Sequence, residues 1–266
     1  KKGKDLLKLI LKPATDYGYD DGLWTTKRIK NLCKKKMKID ISHVGIWRFL
    51  TKQDFSYKKA EKEYEEANKE VLNNWLNNEF PAILKNARKQ RGILYFLDES
   101  NIQIGAFNGK TWAPKEVRPV IKVTGKRDSV SAISAISKSG FLVFNVWDCT
   151  IDSEIVINFL EQMLTYHKRR HLYIFMDNSP VHTSGKISEF EKKNKRLHIE
   201  YLPKYWPKYN PDEFVWNHLK HQEIKTYSPK NKSNFMKYIN NKMNSMSMNY
   251  KLIKGIFMRC PLANHM

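Results

Sequence analysis

Two apolar runs of five residues, 93–97 and 172–176, each stop at an aspartate, Asp98 and Asp177. Five residues are too few for a buried helix, and neither run alternates apolar with polar positions. A strand covered on both faces has this pattern, so the two runs belong inside a sheet with layers packed on either side. The segments around them agree. Residues 129–137 alternate through Val130, Ala132, Ile133 and Ile136, residues 141–147 read as another strand, and Ser139-Gly140 suits the turn between them. Residues 151–167 have helical spacing through Ile155, Phe159, Leu160 and Met163, with Asp152 as cap. Residues 183–193 read as a helix and 198–202 as a fifth strand. A Pro-rich turn over 203–211 leads into a helix from Asp212 to about Lys225. Strand, hairpin strands, helix, strand, helix, strand, helix makes an α/β fold, a mixed sheet with flanking helices.

An aspartate after an apolar run is by itself more often a turn former or helix cap than a catalytic group. Two such aspartates change that balance, because sites in open α/β sheets form outside the carboxyl ends of strands. With a third carboxylate from a nearby helix they make an oxygen-rich pocket suited to Mg²⁺, which takes hard oxygen ligands and keeps several waters. Two such ions can hold the attacking and leaving oxygens of a phosphodiester displacement without any protein nucleophile. Asp212 and Glu213 are the neighbouring candidates for the third acid. Asn210 is placed to cap their helix, with Pro211 in its first turn. Asp212 suits the helix dipole there, and Glu213 could instead close a capping box onto Asn210.

The partner class follows from charge. Lys and Arg number 48 against 27 Asp and Glu, a formal net of +21. A surplus of this size attracts polyanions, and nucleic acid is the favoured partner. An anionic membrane is a weaker rival, because no basic amphipathic segment stands alone at a terminus. No apolar stretch is long enough to span a bilayer, and no signal peptide is visible. Three widely spaced cysteines, Cys33, Cys149 and Cys260, suggest neither a disulfide framework nor a zinc site and point to a reducing, cytoplasmic compartment.

Residues 1–56 carry more than twice as many basic as acidic residues. Thr25 or Thr26 can cap a helix with Ile29, Leu32 and Cys33 on one stripe, and Ser42 a second with Val44, Trp47 and Leu50 inside. Two short helices with a tight connection outline a helix-turn-helix. In that reading Lys27, Arg28, Ser42, His43, Gly45 and Arg48 face DNA. The plainer alternative is a helical hairpin with solvated charges. Residues 57–90 read as a long connector helix, with Glu61, Glu65 and Lys69 at i, i+4 spacing, and Pro81 starting a new turn or kinking it. Residues 91–266 form the sheet domain. Their tail from 224 onward has no acidic residue, which suits either phosphate contacts or a basic surface helix.

The motifs resemble a known family. Leu94-Tyr95-Phe96-Leu97-Asp98-Glu99-Ser100 is similar to the first-aspartate strand of bacterial insertion-sequence transposases of the mariner superfamily. Gly109-Lys110-Thr111-Trp112-Ala113-Pro114 is similar to the hairpin after it. Met176-Asp177-Asn178-Ser179-Pro180-Val181-His182 resembles the second-aspartate motif. The segment Leu202-Pro203-Lys204-Tyr205-Trp206-Pro207, followed by Asn210-Pro211-Asp212-Glu213 and Trp216, resembles the third. Trp206 departs from the small polar residue usual there. Residues 22–48 resemble the family's second helix-turn-helix. The chain opens in a helix-like run without an initiator Met, so a first helix-turn-helix is expected upstream.

The resemblance implies a ribonuclease H-like fold and a transposase with the two-aspartate-one-glutamate site. Asp98, Asp177 and Glu213 would hold Mg²⁺ or Mn²⁺, two ions in all. It implies cut-and-paste transposition on double-stranded DNA, with transposon terminal inverted repeats and a TA target, by a homodimer on paired ends. No small-molecule cofactor is expected. His182 is expected to contact the scissile phosphate or steer the leaving group, with helix capping as its alternative. Asn178 orients either a metal-bound water or its own turn. Glu99, pointing to the opposite face, is read as outside the metal site. Trp112 is read as core, with stacking on a base as its alternative. The rival functions are a ribonuclease H-like nuclease without strand transfer, and a non-catalytic domesticated or decayed DNA-binding protein.

Overall fold

The computed structural model describes residues 2–60, 64–104, 112, 114–116, 118–120, 128–227, 229 and 231–266. The chain divides into two compact units, residues 1–63 and 64–266.

Among the described residues the first unit holds three α-helices, α1 (Lys2–Ile10), α2 (Thr26–Leu32) and α3 (His43–Lys52), around Leu6, Ile10, Ile29, Leu32, Cys33 and Ile46. Thr25 caps α2 by accepting from the Arg28 amide, and Ser42 caps α3 by accepting from the Gly45 amide. The inner face of α3 is not the expected one. Val44 and Trp47 are exposed (58% and 53%), while Ile46 is fully buried, with Phe49 and Leu50 packed against the same core. The i, i+3, i+4 set that faces inward is therefore Ile46, Phe49 and Leu50. A Cβ at Gly45 would lie 2.9 Å from the Ile41 side chain, so this residue, expected to face DNA, packs closely against the preceding loop.

In the second unit the expected helix over 57–90 starts later, at Lys69, behind the Asn68 cap; Glu61 lies outside the described residues and Glu65 precedes the helix. The helix runs as α4 (Lys69–Asn74), a wider π turn (Trp75–Glu79) and α5 (Phe80–Lys89). Proline has no amide hydrogen to give, and the wide turn stands immediately before Pro81, where an ordinary helical bond would be lost. Of the apolar stripe expected on this helix, Leu72, Trp75, Leu76 and Phe80 lie in the main core, while Val71 is exposed.

The sheet has β1 (Ile93–Gln103), β2 (Ser129–Ile136), β3 (Leu142–Trp147), β4 (Leu172–Met176) and β5 (Leu197–Tyr201), in the order β3-β2-β1-β4-β5. β1 pairs antiparallel with β2 and parallel with β4. Gly140, at φ 98°, makes the β2–β3 turn; a Cβ there would sit 2.7 Å from the Tyr250 carbonyl oxygen. The helices α6 (Ser153–Tyr166) and α7 (Gly185–Lys193) cover one face, where Leu97, Ile174 and Met176 meet Val156, Phe159, Leu160 and Ile187. The other face carries Phe96 and Phe175 and is covered by α4, α5, α8 (Glu213–His218), α9 (Lys232–Met248) and α10 (Tyr250–Phe257). The acid-free tail is thus a core layer, with Phe235, Ile239, Met243, Ile253, Ile256 and Phe257 inside and Lys237, Lys251 and Lys254 outside. Trp112, expected in the core, is fully exposed, and residues 109–111 and 113 of the expected hairpin lie outside the described residues. Among the described residues no helix is long and apolar enough to cross a membrane.

Candidate active site

Asp98 does not end its strand as expected. β1 continues to Gln103, because β2 goes on pairing with it as far as Gln103↔Ser129. The strand that ends is β4. Phe96 is level with Phe175 in the parallel ladder, so two residues further along each chain bring Asp98 level with Asp177. Asp98 shares the face of Phe96, on the side where α8 packs. Glu213 is the first residue of α8 and exposed.

All three acids line one cleft of about 500 Å³, with Lys204, Tyr205, Asn178 and Asn210. Burial pushes the Asp98 carboxyl well above the ordinary carboxylate range, and the charges of Glu213, Asp212, Glu99 and Asp177 push the same way. Glu213, although its side chain reaches solvent, is also raised, first by the protein packed around the carboxyl; Lys220 pulls it down and Asp177 pushes it up. Asp177 is lowered, chiefly by its hydrogen bond with His182. The site therefore concentrates negative charge at hard oxygen donors, which fits a divalent cation. Among the described residues no three His, Cys, Asp or Glu side chains are already gathered as a ligand set. The acids share a cleft, and do not form a finished cage.

The turn before α8 is anchored differently from the expected capping box. Asn210 accepts from the Asp212 amide at 3.1 Å and donates from Nδ2 to the Leu97 carbonyl at 3.1 Å. Asp212, expected in the first helical turn where a negative charge suits the dipole, is fully buried and accepts from Ser134 Oγ at 2.6 Å. Burial raises its pKa well above the usual value, against the Ser134 bond. Ser134 stands opposite Asp98 in the β1–β2 register. Nothing in the spacing of the β2 serines singles out Ser134, and the sequence reading missed it.

His182 is not free to touch a phosphate. It is 1% exposed, with Nδ1 2.7 Å from Asp177 Oδ1 and Nε2 2.7 Å from Glu99 Oε1. Burial opposes its charge, but the bonds to Asp177 and Glu99 outweigh it and bring its pKa up to about 10. Asn178 Nδ2 donates to the Leu202 carbonyl at 2.6 Å and so orients the turn. Trp206 is buried, edge-on to Tyr209, with Lys208 over its ring. The large residue at this position fills the loop.

Of the expected DNA-facing residues, Lys27, His43 and Arg48 are exposed. Arg28 is already engaged: it forks onto Asp21, donates to the Leu23 carbonyl at 2.7 Å and lies over the Tyr19 ring. Ser42 Oγ is taken up by its cap. Val44 and Trp47 join Arg48 on the outer side of α3, an apolar contribution that was assigned to the core.

The family model described as the DDE superfamily endonuclease matches residues 93–236. The model described as a winged helix-turn helix matches residues 20–79. No curated protein matches the sequence. Among solved structures, the pre-cleavage Mos1 transpososome is similar at 12% identity and TM-score 0.64, over 99% of this chain and 79% of that one. The Mos1 strand transfer complex is similar at 12% and 0.66, over 98% and 75%. The Mos1 mariner paired end complex with Mn is similar at 13% and 0.65, over 98% and 76%. At such identities the likeness carries the fold.

Proposed function

The chain belongs to the DDE superfamily endonucleases, whose model spans more than half of it, and from that premise we propose that it is a mariner-type DNA transposase. It cuts transposon ends by metal-dependent phosphodiester hydrolysis and joins the 3′-OH ends to target DNA at TA. One observation carries the reading: Asp98 on β1 and Asp177 just past the end of the neighbouring parallel strand β4 line one cleft, with Glu213 in the same cleft. The similar Mos1 structures include a pre-cleavage complex and a strand transfer complex, which supports both halves of the reaction.

Asp98, Asp177 and Glu213 would hold two Mg²⁺ or Mn²⁺ ions, which when bound supply the Lewis acidity for in-line displacement at phosphorus. The protein's own groups position the substrate. Lys204 at the cleft draws in the phosphodiester by charge, and Tyr205 lies beside it. Asn178 and Asn210 tie the cleft loops to Leu202, just after β5, and to β1. Residues 1–56 serve as the DNA-reading part, with Lys27, His43 and Arg48 facing the duplex and Val44 and Trp47 adding apolar contact, while residues 57–90 link it to the catalytic part, residues 91–266. The partners are double-stranded terminal repeats and target DNA, bound by a homodimer on paired ends.

The test is incubation of the chain with labelled DNA from the flanks of its own reading frame, plus Mg²⁺ or Mn²⁺. Specific nicks and joined products are expected. Asp98→Asn and Asp177→Asn should abolish both while leaving DNA binding largely intact, because each change removes metal-holding charge and no DNA contact. Nicks without joined products would instead support a nuclease that lacks strand transfer. Near-normal cleavage by either variant removes that residue from the site.

A further inference from the structure

We propose that Glu99 is a positioning residue for Asp177, acting through His182. The proposal rests on the reading of Asp98, Asp177 and Glu213 as the acids that hold a divalent ion. Asp177 stands one residue beyond the end of β4, where no strand ladder fixes its backbone. A carboxylate on such a turn swings unless something holds it, and a metal site tolerates little swing. The holding group comes from the neighbouring strand. Side chains alternate along β1, so Glu99 points with Leu97 towards the face under α6 and α7, away from Asp98. From there Glu99 Oε1 meets His182 Nε2 at 2.7 Å, and His182 Nδ1 meets Asp177 Oδ1 at 2.7 Å.

The ring between the two carboxylates has no slack. His182 is 1% exposed, so turning it would strand a buried nitrogen, at about 1–3 kcal/mol. Its backbone is held as well: the carbonyl accepts from Tyr201 Oη at 3.1 Å, and the amide donates to the Ser179 carbonyl at 3.1 Å. Asp177 Oδ1 also accepts from the Ser179 amide at 2.9 Å. Both contacts fall on one oxygen, which sets the plane of the carboxylate while Asp177 still lines the cleft. β1 therefore contributes twice. Asp98 faces the cleft, and the next residue reaches round the opposite face to steady the acid just past β4.

The experiment measures Mn²⁺ binding by the full chain without DNA, using electron paramagnetic resonance or calorimetry, with circular dichroism to verify folding. The unaltered chain should bind Mn²⁺, and Asp98→Asn should lose that binding. Glu99→Ala should bind about 10-fold or more weakly, the usual size of losing an outer partner of a metal ligand. Two conservative variants separate reach from charge and stand in if the alanine variant does not fold. Glu99→Asp keeps the charge but shortens the side chain, and should bind as weakly as Glu99→Ala. Glu99→Gln keeps both length and an acceptor oxygen, and should bind close to the unaltered chain. If folded Glu99→Asp binds Mn²⁺ as tightly as the unaltered chain, Glu99 does not position Asp177. A Glu99→Gln variant as weak as Glu99→Asp makes the effect one of charge and overturns the proposal too. No Mn²⁺ binding by the unaltered chain, or full binding by Asp98→Asn, overturns the metal reading itself and this inference with it.

Discussion

Asn210 Nδ2 donates to the carbonyl of Leu97 at 3.1 Å, in the buried layer between β1 and the start of α8. The bond ties the residue before Asp98 to the turn that delivers Glu213, so this amide side chain helps set the distance between two of the three acids. Asn210→Ala leaves the Leu97 carbonyl buried without that partner, at about 1–3 kcal/mol. It also frees the Asp212 amide that Asn210 Oδ1 holds. The expected result is a lower thermal midpoint together with a fall in cleavage of up to about 100-fold from misplaced groups. Gel-shift affinity for DNA should change little. Normal cleavage at a reduced midpoint would confine Asn210 to stability.

Arg28 and Arg48 should fail in different ways. Arg28 is used inside its unit, where Asp21 takes its fork and its bond with Arg28 lowers the Asp21 carboxyl to about 2. Arg48 is exposed on the same side of α3 as Val44 and Trp47. Arg28→Ala should lower the unfolding midpoint of the N-terminal unit. Arg48→Ala should leave that midpoint unchanged and weaken DNA binding, with a shallower dependence on salt if it contacts a phosphate. If it reads a base, the loss falls mainly on specific DNA. An Arg28→Ala variant with unchanged unfolding and weaker DNA binding would reverse the assignment.

What could be read from the sequence divides along local and non-local lines. The runs at 93–97 and 172–176 revealed two central strands, because burial on both faces leaves an unbroken apolar pattern in one short window. The caps at Thr25, Ser42 and Asp152 were equally local, since each side chain serves an amide two or three residues away. Asp98 lines the cleft, but the sequence reading put it at the end of its strand, because only the pairing with β2 extends β1. The inner face of α3 was shifted in phase. Val44, Trp47 and Leu50 and the true set Ile46, Phe49 and Leu50 are both apolar at helical spacing, and only the partner core chooses between them. The links Ser134–Asp212, Asn210–Leu97 and Glu99–His182 join residues 78, 113 and 83 positions apart. Contacts of that range leave no trace in a single sequence.

Glu200 makes stability depend on pH. Burial, and then the charge of Glu191, raise its carboxyl from 4.5 to about 7. The folded chain thus holds this proton more tightly than the unfolded one, so stability from this group is complete below pH 4.5. It is lost as pH rises towards about 7. Glu200→Gln removes the dependence. Its thermal midpoint should exceed that of the unaltered chain above about pH 7 and match it near pH 4.5. The gain should be modest, because Glu200 is only partly buried. Equal midpoints across the whole range would mean that the carboxyl titrates normally.

The decisive substitutions concern two neighbouring acids with opposite environments. Asp212 is fully buried under α8, accepts from Ser134 Oγ, and does not line the cleft. Glu213 is exposed and lines the cleft with Asp98 and Asp177. The proposed third metal acid is therefore Glu213, and Asp212 is an anchor that fastens the start of α8 to β2. Because burial holds the Asp212 carboxyl towards its neutral form, Asp212→Asn replaces it with a neutral group of the same shape that can still accept from Ser134. That variant should keep substantial cleavage. Ser134→Ala instead strands a buried oxygen of Asp212 and should cost about 1–3 kcal/mol of stability. Glu213→Gln should destroy metal-dependent cleavage with little change in thermal midpoint, since the side chain caps nothing and is exposed. Cleavage assays and melting curves on the three variants decide the matter together. An inactive Asp212→Asn beside an active Glu213→Gln would move the third acid one residue back, and α8 would then have to turn by about 100° to bring Asp212 to the cleft.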